Sequence, residues 1–329
     1  MYINIINIIC INYERSMKFI ENINELYKIQ EVRNVDISII IPCKNEMNNI
    51  KWTIDSLLKS KNNLKYEVIV VDDASTDGST EFLKAQISGE KYRDIILIKT
   101  NNIGVAAARN MGASVAKGKY LFFFDAHIKV PDKWADNLIN TLIKAKASLV
   151  APCISDITNI SSAGYGQTWN DEFKITWFSK KPKEGDEIPL AGGAALGITR
   201  EAFNKIGGFD HLFKVWGRED EEICLKAWLY GYRIVINPDV IVQHLFRESH
   251  PYKVTVVNVT YNTICLACSH FEMERLKKVM NIAKRDYNFL NAAREIDKNS
   301  SLILSQRNKY LMERVYDDEY FFKKFNILF

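Results

Sequence analysis

Short runs of apolar residues alternate with amphipathic segments between residues 34 and 145. Four of these runs are rich in β-branched or aromatic side chains and end at polar residues, which predicts buried strands over 37–41, 67–71, 95–98 and 120–124. Between and after them, apolar residues recur every three or four positions and predict helices over 48–60, 105–116 and 131–145, with a turn and a helix within 76–87. This alternation predicts an α/β fold whose mostly parallel, Rossmann-like sheet is flanked by helices.

The pattern changes further along the chain. Residues 155–190 are rich in Ser, Gly, Lys and Glu with aromatic interruptions, which predicts long connections over the active face of the sheet. After Pro251 the apolar residues return at helical spacing and predict a helical C-terminal extension. We therefore divide the chain into an N-terminal extension (1–33), a central domain with halves 34–130 and 131–252, and the helical extension (253–329).

The composition is that of an ordinary globular protein, with 47% hydrophobic and 26% charged residues. The 44 basic and 40 acidic residues give a net charge of +4 without a basic cluster, so no nucleic-acid partner is expected. Only Cys265 and Cys268 form a Cys-x-x-Cys pair, and the sequence has no second pair to complete a zinc site. This pattern of cysteines favours a cytoplasmic localisation. The apolar segment 1–13 lacks a basic flank and is too short for a stable membrane span. Translation could start at Met1 or at Met17, and the sequence leaves both open.

Polar clusters follow three of the predicted strands, at residues 42–46, 72–78 and 125–127. Ligands bind at the carboxyl ends of strands in such sheets, and carboxylates are costly there unless something pairs with them. Asp125 and His127 have the spacing that places two side chains on one side of an extended backbone. A carboxylate and an imidazole so placed can hold a divalent cation, Mn²⁺ or Mg²⁺, which would neutralise the charge on a departing diphosphate.

Several motifs in a fixed order give the segment 35–252 a resemblance to known enzymes. The order is that of family 2 glycosyltransferases of the GT-A fold: ISIIIPCKNE, VIVVDDASTDGS, NNIGVAAARNMG and FFFDAH, then the acceptor-side half GGAALGITREAFNKIGGFDHLFKVWGREDEEICLKAW. From Asp125 onward the chain also resembles the polypeptide N-acetylgalactosaminyltransferases, through Asp-x-His in place of Asp-x-Asp and through INPDVIVQHLFRESHPY. The resemblance implies a GT-A domain over 34–252 that binds a UDP-sugar, with the nucleotide in 34–130 and the acceptor and catalytic groups in 131–252.

The resemblance implies roles for the matching residues. Asp73 would hydrogen-bond the base, and because a carboxylate can accept the imide N–H of uracil, uridine is the expected nucleotide. Arg109 would reach the base or the phosphates, and His244 would join Asp125 and His127 as the third metal ligand; without the resemblance His244 would be interpreted as a core histidine. The remaining residues implied to bind the donor are Pro42, Lys44, Asn45 and Glu46 around the nucleotide, and Arg247, His250 and Tyr252 over the diphosphate.

Other residues are typical of sugar binding and of proton transfer. Gly192 and Gly193 allow close backbone approach to a sugar, and Trp216 offers an aromatic face for its ring. Glu219 and Asp220 open a predicted helix, whose dipole favours acidic residues in the first turn whatever their function. In family 2 enzymes the Asp of such a Glu-Asp pair is the general base, so the resemblance implies Asp220 as base, with Glu219 contacting donor sugar or acceptor.

One departure from the family pattern bears on stereochemistry. The retaining N-acetylgalactosaminyltransferases have Gly-Gly-Glu-Asn where this chain has Gly-Arg-Glu-Asp at 217–220. Asn cannot act as a base and Asp can, which favours inversion at the anomeric carbon by direct displacement. The Asp-x-His and His-Pro-Tyr features favour retention instead.

The sequence thus predicts a metal-dependent hexosyl- or N-acetylhexosaminyltransferase that moves a sugar from a UDP-sugar to a glycan or a peptide side chain. Two alternatives stay open: a retaining enzyme like the polypeptide N-acetylgalactosaminyltransferases, and a catalytically inactive module that binds a nucleotide sugar. A nucleotidyltransferase would carry a Gly-rich basic loop after the first strand, and PCKNE is not such a loop. The identity of the sugar and of the acceptor is open, and a homodimer through the C-terminal helices is a further hypothesis.

Overall fold

The structure is a computed structural model that describes residues 35–84 and 90–329. The predicted N-terminal extension (1–33), with both candidate start residues, lies outside these ranges. Of the helix predicted within 76–87, the structure shows one 3-10 turn, Glu81–Leu83, and residues 85–87 lie outside the described ranges. The described residues from Val35 to Phe329 belong to one compact unit.

The first half alternates strands and helices as predicted. Its elements are β1 (Ile37–Cys43), α1 (Asn49–Lys59), β2 (Tyr66–Asp73), β3 (Ile96–Thr100), α2 (Val105–Val115), β4 (Tyr120–Phe124), β5 (Ile128–Lys129) and α3 (Trp134–Lys144). Ile40 packs in one apolar cluster, whereas Ile39 and Ile41 pack in another, so β1 is buried on both faces. Burial on both faces explains why these strands are apolar without alternation.

The second half contains more strands than the sequence predicted. Its elements are β6 (Leu149–Asp156), β7 (Asn159–Gly164), β8 (Gln167–Trp169), β9 (Ile175–Trp177), β10 (Ala195–Thr199), α4 (Arg200–Ile206), α5 (Glu219–Leu229) and β11 (Ile234–His244). The prediction of irregular connections over 155–190 was wrong for β7, β8 and β9, which pair antiparallel with neighbouring strands. These strands are three to six residues long and polar or mixed, so they leave no clear period of two.

The main sheet is mixed and mostly parallel, in the order β3-β2-β1-β4-β10-β6-β11-β5, with β7 paired to β6. β1 runs parallel to β2 and β4, and β11 runs parallel to β6. The antiparallel β10 lies between β4 and β6 at the centre. This topology confirms the predicted α/β class, and it aligns the carboxyl ends of β1, β2, β4 and β11 along one edge of the sheet.

Five helices follow the sheet, which confirms the predicted helical character of the chain after Pro251. They are α6 (Val256–His270), α7 (Met273–Ala283), α8 (Phe289–Lys298), α9 (Ser300–Glu313) and α10 (Asp318–Lys324). Trp169 and Phe173 pack against Phe271, Phe322 and Phe329, so the helices share a core with the sheet-bearing half. Within the described residues, no helix combines the length and the apolar character needed to cross a bilayer.

Candidate active site

A cavity of about 620 Å³ opens at the carboxyl ends of β1, β2 and β4, where the sequence predicted a ligand site. The predicted site residues that line it are Pro42, Lys44, Glu46, Asp73, Arg109, Asp125, His127, Gly193, Trp216, Glu219, Asp220, His244, Arg247, His250 and Tyr252. Asn45 and Gly192 are not among the lining residues, although their neighbours in the chain are. Strand ends that are distant in the sequence therefore converge on one pocket.

Asp125, His127 and His244 form a group in which one potential ligand atom from each lies within 4.8 Å of the others. The antiparallel pairing of β11 with β5 brings them together, because it sets His244 opposite Ile128, the residue after His127. His244 Nε2 lies 3.4 Å from Asp125 Oδ2, and the two imidazole centroids are 4.7 Å apart. The three residues predicted to bind a metal, which we call the metal group, therefore lie close together.

The donor set of this group fits a divalent cation. The Nδ1 atoms of His127 and His244 are buried without a hydrogen-bond partner, a state that folded proteins rarely leave unexplained. Burial alone would raise the pKa of Asp125, but His244, His127 and Arg109 hold it well below its usual range. An ionised carboxylate beside two imidazoles suits Mn²⁺ or Mg²⁺, with the imidazoles favouring the transition metal.

Arg109 connects the metal group to the predicted catalytic pair. Its guanidinium is buried, with Nη2 at 3.1 Å from Asp125 Oδ1 and Nη1 at 3.3 Å from Glu219 Oε1. Nη2 also donates to the backbone oxygen of Gly193 at 3.2 Å. These contacts orient two carboxylates toward the cavity; the expected contact of Arg109 with the base or phosphates stays a prediction.

Asp220 is the second residue of helix α5 and carries a strongly perturbed carboxyl group. Burial, together with the negative charges of Glu219 and Glu221, raises the pKa of Asp220 to about 8. Gly193 packs directly on this carboxylate, because a Cβ there would lie 2.6 Å from Asp220 Oδ2. A carboxyl group with a pKa near neutrality at the wall of a cavity is typical of an acid–base catalyst.

The structure shows what each of the two glycines makes room for, whereas their expected approach to a sugar stays a prediction. A Cβ on Gly193 would clash with Asp220, and a Cβ on Gly192 would lie 2.5 Å from Cη2 of Trp177. Both positions therefore make room for side chains of this protein, and only Gly193 borders the cavity. The sequence could not show this, because it did not reveal which side chains face residues 192 and 193.

Asp73 lines the cavity at the carboxyl end of β2 and holds the connection between β3 and α2. It accepts hydrogen bonds from Ile103 N (2.7 Å), Gly104 N (2.9 Å) and Thr100 Oγ1 (2.8 Å). The Lys44 ammonium lies 3.8 Å from Asp73 Oδ2. A carboxylate offers about four acceptor positions, so Asp73 retains capacity for one further N–H donor. Its contact with a base stays a prediction.

Residues 245–253, the covering loop, line one side of the cavity. Arg247 forms a bidentate ion pair with Glu46, with Nη1 at 3.1 Å from Oε1 and a closer Nη2–Oε2 contact. His127 Nδ1 lies 3.3 Å from the same Oε2, although without hydrogen-bond geometry. Burial would raise the pKa of Glu46, but His127 and Arg247 keep it below its usual value. The covering loop is thereby attached to the end of β1 beside a metal-group histidine.

The other predicted residues of this region have clear positions. Asn45 attaches the covering loop further, because its Nδ2 lies 3.5 Å from the Pro251 oxygen. The Trp216 ring lies 4.3 Å from the His250 ring, between centroids. The Lys44 ammonium lies 5.7 Å from the centroid of the Tyr252 ring. The His-Pro-Tyr segment thus contacts residues from both halves of the site.

The sequence did not single out Trp177 and Phe246 as site residues, yet both line the cavity. The Trp177 indole packs against Gly164 and Gly192, where any Cβ would clash with it, and 37% of the residue stays exposed. Phe246 approaches it edge-on, with ring centroids 6.4 Å apart. No signal in the sequence separates these aromatics from others, because their placement depends on glycines distant in the chain.

Comparison with known proteins gives the family. The model described as "Glycosyl transferase family 2" matches residues 38–207, and "N-terminal domain of galactosyltransferase" matches 178–251. Polypeptide N-acetylgalactosaminyltransferase 3 of Drosophila melanogaster is 31% identical over 242 residues, covering 65% of this chain and 35% of that protein. Human polypeptide N-acetylgalactosaminyltransferase 10 is 30% identical over 239 residues, covering 66% of this chain and 39% of that protein. The chain spans less than half the length of these curated relatives.

Solved structures share the fold. A crystal structure of GalNAc-T7 with UDP, GalNAc and Mn²⁺ has a TM-score of 0.68 at 21% identity, covering 90% of this chain and 57% of that chain. S. aureus TarS 1-349 in complex with UDP-GlcNAc has a TM-score of 0.53 at 18% identity, covering 82% of this chain and 76% of that chain. The chain therefore belongs to glycosyl transferase family 2, as the sequence predicted, and has the GT-A fold.

Proposed function

We propose that this protein is a metal-dependent glycosyltransferase that moves a hexosyl or N-acetylhexosaminyl group from a UDP-sugar to an acceptor with inversion. The observation that supports this most strongly is the chain of contacts that runs from the metal group through the buried Arg109 to Glu219 at the start of α5. It joins a cation-binding carboxylate to the pair that contains the candidate base. A protein that only bound a nucleotide sugar would not need a carboxyl group with a pKa of about 8 in that pair.

The donor would lie with its uracil toward Asp73 and its diphosphate toward the metal group and the covering loop. A bound Mn²⁺ or Mg²⁺ would act as a Lewis acid that stabilises negative charge on the departing diphosphate. Asp125, His127 and His244 would hold that ion. Arg247 would add a positive charge from the covering loop, in exchange for its contact with Glu46.

Asp220 would remove the proton from the acceptor nucleophile, while Arg109 fixes the neighbouring Glu219 for contact with donor sugar or acceptor. A carboxylate with its pKa raised to about 8 is basic enough to take a proton from a hydroxyl as its oxygen attacks the anomeric carbon. The alternative is a retaining mechanism, which the similarity to polypeptide N-acetylgalactosaminyltransferases favours. The presence of Asp at 220 is our reason to favour inversion.

A panel of nucleotide sugars, assayed for release of the nucleoside diphosphate with Mn²⁺ and with EDTA, tests this function. We expect slow hydrolysis of at least one UDP-sugar with Mn²⁺, and none with EDTA. Tight UDP binding without release from any sugar, across glycan and peptide acceptors, would instead support the inactive binding module. Cytoplasmic localisation and a homodimer through the C-terminal helices stay predictions.

The acceptor side of the cavity gives a further prediction. Trp177 and Asp220 pack on the adjacent residues Gly192 and Gly193, so the exposed indole face and the candidate base border the same region. We expect Trp177→Ala to reduce stimulation of UDP release by acceptors about fivefold, because an aromatic contact contributes roughly 1 kcal/mol. Hydrolysis without acceptor should be unchanged.

The neighbouring Phe178 provides the control for this prediction. It is 38% exposed, like Trp177 at 37%, but does not line the cavity. Both variants are compared on the same panel of glycosides and Ser- or Cys-containing peptides. Equal stimulation of UDP release by acceptors in Trp177→Ala and Phe178→Ala would contradict the assignment of Trp177 to the acceptor site.

A further inference from the structure

We propose that Asn262, in helix α6, positions the catalytic pair, so that the C-terminal helices are a working part of the active site. It would act through residues 214–218, the entry loop, which leads directly into Glu219 and Asp220. This inference rests on the proposed function, because it assigns Asn262 a role in the turnover that Glu219 and Asp220 carry out. Asn262 itself is a positioning residue and does not line the cavity.

The side chain of Asn262 is 1% exposed, and both its oxygen and its nitrogen form hydrogen bonds with the entry loop. Its Oδ1 accepts from Lys214 N at 2.8 Å. Its Nδ2 donates to three backbone oxygens of the entry loop: Lys214 (2.9 Å), Trp216 (3.2 Å) and Gly217 (2.8 Å). One amide group therefore replaces the regular backbone partners that an irregular loop lacks.

The entry loop has a conformation that needs such support. Val215 has φ +51°, which is an outlier for a β-branched residue, and Gly217 and Arg218 follow with φ +104° and +71°. Strained backbone of this kind persists only when its surroundings impose it. On the side of the sheet, Val105 N donates to the Val215 oxygen at 2.9 Å, and Asn262 supplies the constraint from the helical side.

The constraint reaches the catalytic groups through short connections. Gly217 N donates to Glu219 Oε2 at 2.8 Å, and Glu219 Oε1 pairs with Arg109. Trp216, whose oxygen contacts Asn262, presents its ring to the cavity and to His250. A shift of the entry loop would therefore move the wall of the donor site and the start of α5 together. Misplacement of catalytic groups by about 1 Å can cost roughly 100-fold in rate.

The test compares Asn262→Ala and Asn262→Asp with Thr260→Ala. Thr260 lies on the same helix, is 7% exposed and donates to Asp286 Oδ2 at 2.9 Å, so its variant removes a partly buried hydrogen bond that does not involve the entry loop. Asn262→Asp keeps the acceptor for Lys214 N but turns an oxygen toward three carbonyl oxygens. Measurements are Mn²⁺-dependent hydrolysis of the UDP-sugar, UDP affinity by calorimetry, and hydrogen–deuterium exchange of peptides covering 214–218.

We expect both Asn262 variants to hydrolyse the donor roughly 10- to 100-fold more slowly than Thr260→Ala. UDP affinity should change little, because the proposed uridine contacts lie at the ends of β1 and β2. Amide exchange in 214–218 should accelerate in the Asn262 variants alone. A folded Asn262→Ala protein with normal exchange at 214–218, or with hydrolysis equal to that of Thr260→Ala, would overturn the inference.

The exchange measurement separates this inference from the proposed function. If the wild-type protein hydrolysed no donor, the proposed catalytic role would fail, yet accelerated exchange in Asn262→Ala would still support the structural constraint. If the wild type were active and Asn262→Ala equally active, only the positioning role would fail.

Discussion

Replacing Asp220 by Asn is expected to reduce turnover by roughly 100- to 10,000-fold, the usual contribution of a general base, while UDP affinity stays near that of the wild type. The substitution keeps the size of the side chain and its packing on Gly193, but it removes the basic oxygen. Turnover is measured with the active donor in the presence of Mn²⁺, and UDP affinity by calorimetry. Asp239, which is exposed and outside the cavity, provides the matched Asp→Asn control.

The pH dependence of the rate carries independent information about Asp220. A base works only when ionised, and the pKa of Asp220 is raised to about 8, so wild-type turnover should rise with pH and level off above that value. The residual rate of Asp220→Asn should lack this rise. A variant with wild-type turnover, or with an unchanged pH profile, would contradict the assignment of the base and favour the retaining alternative.

Substitution of a residue in the metal group has the second large expected effect. Asp125→Ala or His127→Ala should abolish Mn²⁺-dependent binding of UDP. The ion would lose one of its three protein ligands, and the diphosphate would then lose the positive charge that neutralises it. Mutation of these residues would remove the Lewis acid that the proposed mechanism assigns to departure of the diphosphate. The measurement is a calorimetric titration of UDP with Mn²⁺ and with EDTA. His244→Ala should raise the Mn²⁺ concentration that activity requires.

His211 provides the control for this second prediction, because it is exposed and does not line the cavity. His211→Ala should bind UDP with normal dependence on Mn²⁺. If Asp125→Ala or His127→Ala behaved in the same way, the assignment of the metal group would be wrong. An unchanged Mn²⁺ titration in His244→Ala would exclude that residue alone.

The sequence predicted the sheet well because buried parallel strands leave a strong local signal. The apolar runs at 37–41 and 120–124 became β1 and β4, and the spacing of Asp125 and His127 was sufficient to place both beside one cavity. His244 required the family resemblance, since its position depends on the pairing of β11 with β5, a contact between distant segments. Local patterns cannot specify such pairings.

Long-range packing also explains what the sequence did not show. Gly192 and Gly193 accommodate Trp177 and Asp220, contacts that the sequence did not predict, while the approach of these glycines to a sugar stays a prediction. Asn262 had no motif around it, and its importance became visible only when its four contacts with residues 214–217 were known. Each of these interactions joins residues whose spacing carries no periodic signal, so a fold was needed to identify them.

The location of the ion is the most direct test of the central claim, and anomalous diffraction from crystals grown with UDP and Mn²⁺ would measure it. We predict a single strong manganese peak within coordination distance of Asp125, His127 and His244, with the diphosphate of UDP bound to the same ion. A manganese peak elsewhere, or UDP bound in the cavity with no ion among these three residues, would contradict the proposed mechanism.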